Sequence, residues 1–291
     1  MARPIASLTS IWVKIAVSTG NKDQLDAVLG AMGLDATVGF DCYEGRKTST
    51  TKVMSPCGSH SALAAIETLL ADETKLETYN ILFLSCAPGK FASLPAGTQT
   101  TIAANLKTWA GKGGRLFVTD NSYDYIAQAF PSDVMFLNGA AVDAANVGVG
   151  GSSATPTQYL GKVNDTTLQT WLTKVGALTA GSNTLMLDGY LNNWSVIQSV
   201  PTTTSDEVDA TNAVAYTAPG GTTKGPAMSY PQSIKFDITA PGAANACGRA
   251  IYTSYHTLPS TTVVNAANLV PQERILEYLM FEAGACVGPI M

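Results

Sequence analysis

The sequence predicts an α/β fold: a three-layer, doubly wound, mostly parallel sheet with an antiparallel β extension. Two stretches support this prediction. Residues 79–86 form an apolar run closed by Ala-Pro-Gly at 87–89, which is typical of a strand buried on both faces of a parallel sheet. Residues 113–131 predict a strand, a sharp turn and a helix, because Asp-Asn-Ser at 120–122 follows an apolar run and supplies good helix caps. This turn is expected at the carboxyl-end crevice of the sheet.

Strands and helices alternate along the first part of the chain, as parallel β-α-β crossovers require. Residues 11–17 and 36–43 predict strands, and residues 44–58 predict a long polar loop. Two helices are indicated by apolar residues at helical spacing: Leu25, Val28, Leu29 and Met32, then Leu63, Ile66 and Leu70. A third helix, residues 96–110, leads into the strand at residues 114–119.

The second half of the chain has a different pattern. Residues 139–157 are rich in Gly, Ala and Ser and predict an excursion over the surface. A helix with one apolar face follows, formed by Leu168, Trp171, Leu172 and Val175. Residues 183–240 contain short alternating runs that indicate antiparallel strands, residues 248–256 predict a strand, and Pro271 begins a closing helix. We interpret residues 10–286 as a single α/β domain, with residues 183–240 as a β-rich insertion or extension.

Composition excludes several classes of function. The 291 residues are 46% hydrophobic, which is ample for a core, and the net charge is −5 with one adjacent basic pair, Arg46-Lys47. No basic stripe exists for a phosphate backbone, so we expect no nucleic-acid partner. No apolar run approaches the roughly 20 residues of a membrane span. Charged residues make up 13% of the chain, about half the usual share, which favours an extracellular or assembled protein.

The chain has five cysteines, and their pairing indicates whether the protein works in an oxidising or a reducing compartment. None has Cys-x-x-Cys spacing, so a zinc cage is not predicted. Cys42 and Cys57 flank a polar loop, and Cys247 and Cys286 flank the last strand and the last helix, which makes two candidate disulfides and leaves Cys86 alone. The alternative is five reduced thiols packed as small apolar side chains. Disulfides persist in oxidising surroundings, so the two candidate disulfides predict an extracellular, cell-surface or periplasmic location.

The order of these elements resembles the flavodoxin-like fold of class I glutamine amidotransferases, in particular the trehalose-utilisation-type branch and related secreted bacterial domains of unknown function. Residues 79–86, 113–120 and 252–256 look like the family's apolar strand, nucleophile strand and histidine strand. In working members a Cys ends the nucleophile strand, and a Glu stands two residues beyond the His. Here the elbow falls on residues 120–122, and Leu258 replaces the Glu. The resemblance therefore implies that the family's acyl-transfer chemistry is lost.

Three residues remain as candidates for a site: Asp120, Ser122 and His256. The first hypothesis is a non-catalytic structural or binding module, secreted or surface-located, whose partner is a copy of itself or a carbohydrate. The alternative is a hydrolase in which Ser122 or Asp120 attacks the substrate and His256 acts as the base. A third interpretation needs no chemistry, because residues 120–122 can simply cap the helix that begins near Tyr123.

Aromatic side chains are predicted to cluster near the same end of the sheet. They are Tyr123, Tyr125, Tyr190, Trp194, Tyr252 and Tyr255. Such rings either pack in the core or provide a platform for a sugar. A lone Gly20 does not make a dinucleotide fingerprint, and neither an Asp-x-Asp-x-Asp run nor a histidine cluster is present. We therefore expect no cofactor and no metal ion.

Overall fold

The computed structural model describes the part of the chain that contains the predicted elbow. The described residues are 13–20, 23–34, 36, 39–46, 56–57, 63–87, 89–136, 157–190, 195, 197–210, 229–244, 246–255 and 269–284. Of the candidate site residues, aromatic residues and cysteines named above, Trp194, His256 and Cys286 lie outside these ranges, as does the side chain of Tyr190.

The described residues contain eleven strands. In chain order they are β1 (Ile15–Ser18), β2 (Asp41–Tyr43), β3 (Ile81–Leu84), β4 (Arg115–Thr119), β5 (Met135–Phe136), β6 (Thr157–Val163), β7 (Thr184–Tyr190), β8 (Ile197–Ser199), β9 (Thr204–Ala210), β10 (Pro231–Ile238) and β11 (Gly248–Thr253). Nine of them form one sheet in the order β2-β1-β3-β4-β11-β10-β9-β6-β7, and β5 pairs with β8 in a separate ribbon.

Seven α-helices accompany these strands in the described residues. They are α1 (Leu25–Ala31), α2 (Ile66–Leu70), α3 (Glu73–Leu76), α4 (Ala96–Gly111), α5 (Tyr123–Ala129), α6 (Thr166–Lys174) and α7 (Pro271–Gly284). One apolar cluster joins α2, α3, α4 and α5 to one face of the sheet, and a second joins α1, α6 and α7 to the other. The predicted three-layer α/β fold is confirmed.

The sheet has a parallel part and an antiparallel part. Strands β2, β1, β3, β4 and β11 run parallel. The residues of β1, β3 and β4 are all buried and mostly apolar, because helices cover both faces of the sheet there. Strands β10, β9, β6 and β7 continue the same sheet in antiparallel pairs. The antiparallel part also includes β6 (Thr157–Val163), which was not predicted as a strand because its few apolar residues surround Gly161 without a clear period.

The cysteines fall into three situations. Cys42 and Cys57 form a disulfide that ties β2 to the residue pair 56–57, so this predicted pairing is confirmed. Cys86 follows β3 and is fully buried, as expected for a small core side chain. Cys247 is exposed next to β11. Its predicted partner, Cys286, lies outside the described residues, so that pairing stays a prediction.

A pair of carboxyl groups lies in the antiparallel part. In the β9–β10 pairing Glu207 is an extra residue between Asp206 and Val208, and Asp209 is the next residue of the strand. The Asn164 side-chain amide donates to Asp209 Oδ2 at 3.0 Å. Burial raises the pKa of Asp206 to about 8, and the adjacent Asp209 contributes to the shift. The Asp206–Asp209 pair therefore retains a proton to higher pH than an ordinary aspartate does.

This pair predicts a dependence of stability on pH. The pKa of Asp206 is raised above its ordinary value of 3.8, so the folded protein holds a proton that the unfolded chain releases. The free energy of unfolding should fall between about pH 4 and pH 8 and then level off. Asp206→Asn should flatten this slope and stabilise the protein at pH 9. Urea denaturation at pH 5, 7 and 9 measures the free energy of unfolding of each variant. Asp133→Asn, in a turn, is the control. The same pH dependence in both variants would contradict a raised pKa at Asp206.

Candidate functional site

The predicted elbow is present at the carboxyl end of β4. A 3-10 turn, Asp120–Ser122, follows Thr119 directly and leads into α5. Asp120 has φ +37°, and it is the one non-glycine residue with positive φ in the described part of the chain. An L-residue adopts this conformation only at a cost, so the surrounding contacts must hold the turn in place.

The Asp120 side chain is enclosed by polar groups. It is 1% exposed, and its carboxylate oxygen Oδ1 accepts a hydrogen bond from Ser195 Oγ at 2.9 Å. The thiol of Cys86 lies 3.8 Å from the other oxygen, Oδ2. The Tyr252 hydroxyl lies 2.8 Å from Ser195 Oγ and 3.1 Å from the Asp120 backbone carbonyl. Residues from three separate parts of the chain therefore fix both the backbone and the carboxylate of Asp120.

The backbone at the end of β3 is the second component of the site. Three consecutive N–H groups, which we call the amide row, each donate to a different side chain. These bonds are Ser85 N to Ser18 Oγ at 3.0 Å, Cys86 N to Asp23 Oδ2 at 2.9 Å, and Ala87 N to Ser122 Oγ at 3.2 Å. The same Asp23 oxygen also accepts from the Thr119 hydroxyl. The strand end is thus bonded to β1, to the start of α1 and to the elbow.

Ser122 bonds the elbow to β3 rather than to its own helix. Its hydroxyl donates to the Ser85 backbone carbonyl at 2.7 Å and accepts from the Ala87 N–H. Ser122 occupies the N-cap position of α5 without a side-chain capping bond, so the prediction that its side chain caps this helix is wrong. Sequence spacing suggested a local partner, whereas the actual partners lie 35 and 37 residues away.

Cys86 lies between two carboxylates. Burial raises the pKa of its thiol well above the ordinary value, and the charges of Asp120 and Asp23 raise it further. The side chain of Asn121 lies against this thiol and lowers the pKa by a smaller amount. Because the reactive form of cysteine is the thiolate, Cys86 is a poor nucleophile in this state.

The structure brings some of the predicted site residues together. Asp120 and Ser122 are adjacent at the elbow, but their side chains face different partners. His256 is not among the described residues, so its contact with either oxygen stays a prediction. Sequence reasoning missed Asp23 and Ser195, which contact the site from loops. Asp23 could have been found, because it follows a predicted strand at the carboxyl end of the sheet.

The aromatic residues at this end pack against one another. Tyr123 and Tyr252 both contact Phe136, with ring centroids 5.0 and 5.1 Å apart, and Tyr125 contacts Phe91 at 4.9 Å. These three tyrosines and Tyr255 are buried, so none presents an open ring face to a sugar. Within the described ranges, no three His, Cys, Asp or Glu side chains are grouped to hold a metal ion. No helix there is long and apolar enough to cross a membrane.

The chain is similar to known proteins in its three-dimensional structure but not in its sequence. No family model and no curated protein matches the chain. A ThuA-like protein from Bacteroides uniformis is 10% identical with a TM-score of 0.47, and the match covers 97% of this chain and 95% of that one. A cytoplasmic protein from Salmonella typhimurium is 10% identical, with a TM-score of 0.45 and coverage of 92% and 98%. A glutamine amidotransferase from Thermotoga maritima is 9% identical, with a TM-score of 0.40 and coverage of 94% and 84%.

The bonds of Ser122 predict a measurable loss of stability on truncation. Ser122→Ala leaves the buried Ala87 N–H and the Ser85 carbonyl without their partner, which should lower the free energy of unfolding by about 2 kcal/mol. Ser132→Ala, in an exposed turn, should change it by less than about 0.5 kcal/mol. Urea denaturation measures both. Equal values for the two variants would show that the Ser122 hydroxyl is not a structural bond.

Proposed function

We propose that the protein is a non-catalytic structural or binding module on an amidotransferase-like α/β scaffold. The observation that carries this proposal is the amide row. In an enzyme, free N–H donors at such a position bind the negative charge that develops in the transition state. Here side chains of the protein itself, Ser18, Asp23 and Ser122, already accept all three N–H bonds. A substrate oxygen would have to displace one of them.

The elbow supports the same conclusion. The residue at the turn is Asp120 where amidotransferases resembling this chain have a Cys, so no thiolate is available there. Its carboxylate is buried and already accepts a bond from Ser195. Cys86 is close to the elbow, but its raised pKa keeps the thiol protonated. The edge is therefore better suited to holding the sheet together than to attacking a substrate.

One observation favours a second candidate, a hydrolase with Asp120 as the nucleophile and His256 as the base. Asp120 has a strained backbone with φ +37° on a strand-to-helix turn, and such strain clusters at functional sites. A carboxylate can form a covalent intermediate that an activated water then hydrolyses. Ser122 is the weaker nucleophile candidate, because its hydroxyl proton is bonded to the Ser85 carbonyl.

Substitution of Asp120 separates the two functions. For a module, Asp120→Ala should lower the free energy of unfolding by about 2–3 kcal/mol because the buried Ser195 hydroxyl loses its charged acceptor. The wild type and Asp120→Asn should then give equal background rates with p-nitrophenyl esters and γ-glutamyl anilides. For a hydrolase, the wild type turns over one of these probes and Asp120→Asn abolishes the reaction. Asp133→Asn is the control for charge removal away from the elbow.

We place the module outside the cytoplasm. The Cys42–Cys57 disulfide and the low content of charged residues support a location outside the cytoplasm. For the partner we keep two candidates, copies of the chain itself in a surface assembly and a carbohydrate. The four described tyrosines at the elbow are buried and present no open ring face to a sugar.

A count of free thiols tests the location. In denaturant without reductant, we expect one reactive thiol, that of Cys86, because both predicted disulfides would be intact. A count of three thiols would agree with an oxidising location and would show that Cys247 and Cys286 are not bonded to each other. Five thiols would contradict the extracellular proposal, since a protein with all five cysteines reduced indicates a reducing compartment. Ellman's reagent on protein purified without reductant provides the measurement.

A further inference from the structure

The cover over the elbow is a distinct piece of the chain. We define the closing strand as Ser195 together with β8 (Ile197–Ser199). We propose that the closing strand opens locally, while the nine-stranded sheet stays folded, and thereby gives solvent and small molecules access to the side chains of Asp120 and Cys86. This inference goes beyond the proposed function, because it concerns access to the edge and applies equally to a module and to a hydrolase.

The closing strand is held by side-chain contacts rather than by the main sheet. Strand β8 pairs with the two-residue strand β5, and neither strand belongs to the nine-stranded sheet. The buried side chain of Ile197 anchors β8 in the core. Elements with few ladder hydrogen bonds open at a lower free energy than central strands do. The closing strand can therefore detach without breaking the pairing of β3, β4 and β11.

The bonds of Ser195 form the latch of the closing strand. The Ser195 hydroxyl donates to the Asp120 carboxylate at 2.9 Å, and the Tyr252 hydroxyl lies 2.8 Å from Ser195 Oγ. The Tyr252 hydroxyl is also 3.3 Å from the Ser195 backbone carbonyl. Tyr252 and Asp120 belong to the sheet and its elbow, so they remain in place when Ser195 leaves.

Buried polar groups lie next to the Asp120 carboxylate, which Ser195 contacts. The Cys86 thiol is fully buried, 3.8 Å from Asp120 Oδ2. The Asn121 side-chain amide is buried and contacts this thiol, and neither its nitrogen nor its oxygen has a further hydrogen-bond partner within the described residues. Buried amides are normally bonded, so an enclosed group of this kind favours a site that is occupied or solvated when the cover opens. Cys86 is therefore a natural reporter of the opening.

Alkylation of Cys86 by N-ethylmaleimide in the native protein tests the proposal, with the modified peptide quantified by mass spectrometry. Ser195→Ala and Tyr252→Phe should each raise the rate of modification at Cys86 about tenfold, because each removes a buried bond of the latch. Tyr255→Phe and Ser199→Ala are the matched controls, and neither side chain belongs to the latch. Both controls should stay within about twofold of the wild type.

Global unfolding also exposes Cys86, so the rate is followed in a urea series. For each variant, the global free energy of unfolding is measured separately by denaturation. Local opening predicts rates above those that global unfolding allows, with little dependence on urea at low concentration. Rates that equal the global expectation in the wild type and in both latch variants, with the same urea slope, would overturn the proposal. The urea slope of the wild type decides the question even if one latch variant fails to fold.

Discussion

The bonding of the amide row is the constraint on which the carboxyl edge of the sheet depends. Where a parallel strand ends, its N–H groups lose their ladder partners and must be satisfied in another way. At the end of β3 the partners are Ser18 in β1, Asp23 in the loop between β1 and α1, and Ser122 in the turn after β4. These bonds draw the ends of β1, β3 and β4 together at one edge. The strained turn at Asp120 is held within this arrangement.

Close packing accompanies these bonds. A Cβ at Gly20 would lie 2.7 Å from the Cβ of Ser85, and a Cβ at Gly45 would lie 2.4 Å from the Thr19 carbonyl oxygen. No side chain fits at either position without displacing the backbone nearby. The loop after β1 therefore approaches the end of β3 directly, and the loop after β2 approaches the end of β1. This leaves the edge filled by the protein itself, where sheets of this kind usually leave a crevice for a ligand.

The parallel part of the fold could be predicted from the sequence. Strands that are buried on both faces consist of continuous apolar runs, as in residues 81–84 and 116–118. The elbow was also predictable from the polar residues that follow such a run. The contacts of the site were not. Asp23 reaches the Cys86 N–H across 63 residues, and Ser195 reaches Asp120 across 75. Local pattern contains no information on such pairs, and for the same reason Ser122 was assigned to its own helix.

The bonded amide row holds the ends of the strands together at the carboxyl edge. Native-state hydrogen exchange of the Ser85, Cys86 and Ala87 amides tests it most directly, because these amides are the bonded groups themselves. The acceptors of these amides, Ser18, Asp23 and Ser122, do not lie in the closing strand. We therefore expect all three amides to stay bonded when the closing strand opens and to exchange only through global unfolding, with the same free energy as the amide of Phe83 within β3. Exchange of the three amides through a local opening of low free energy, while Phe83 stays protected, would contradict it.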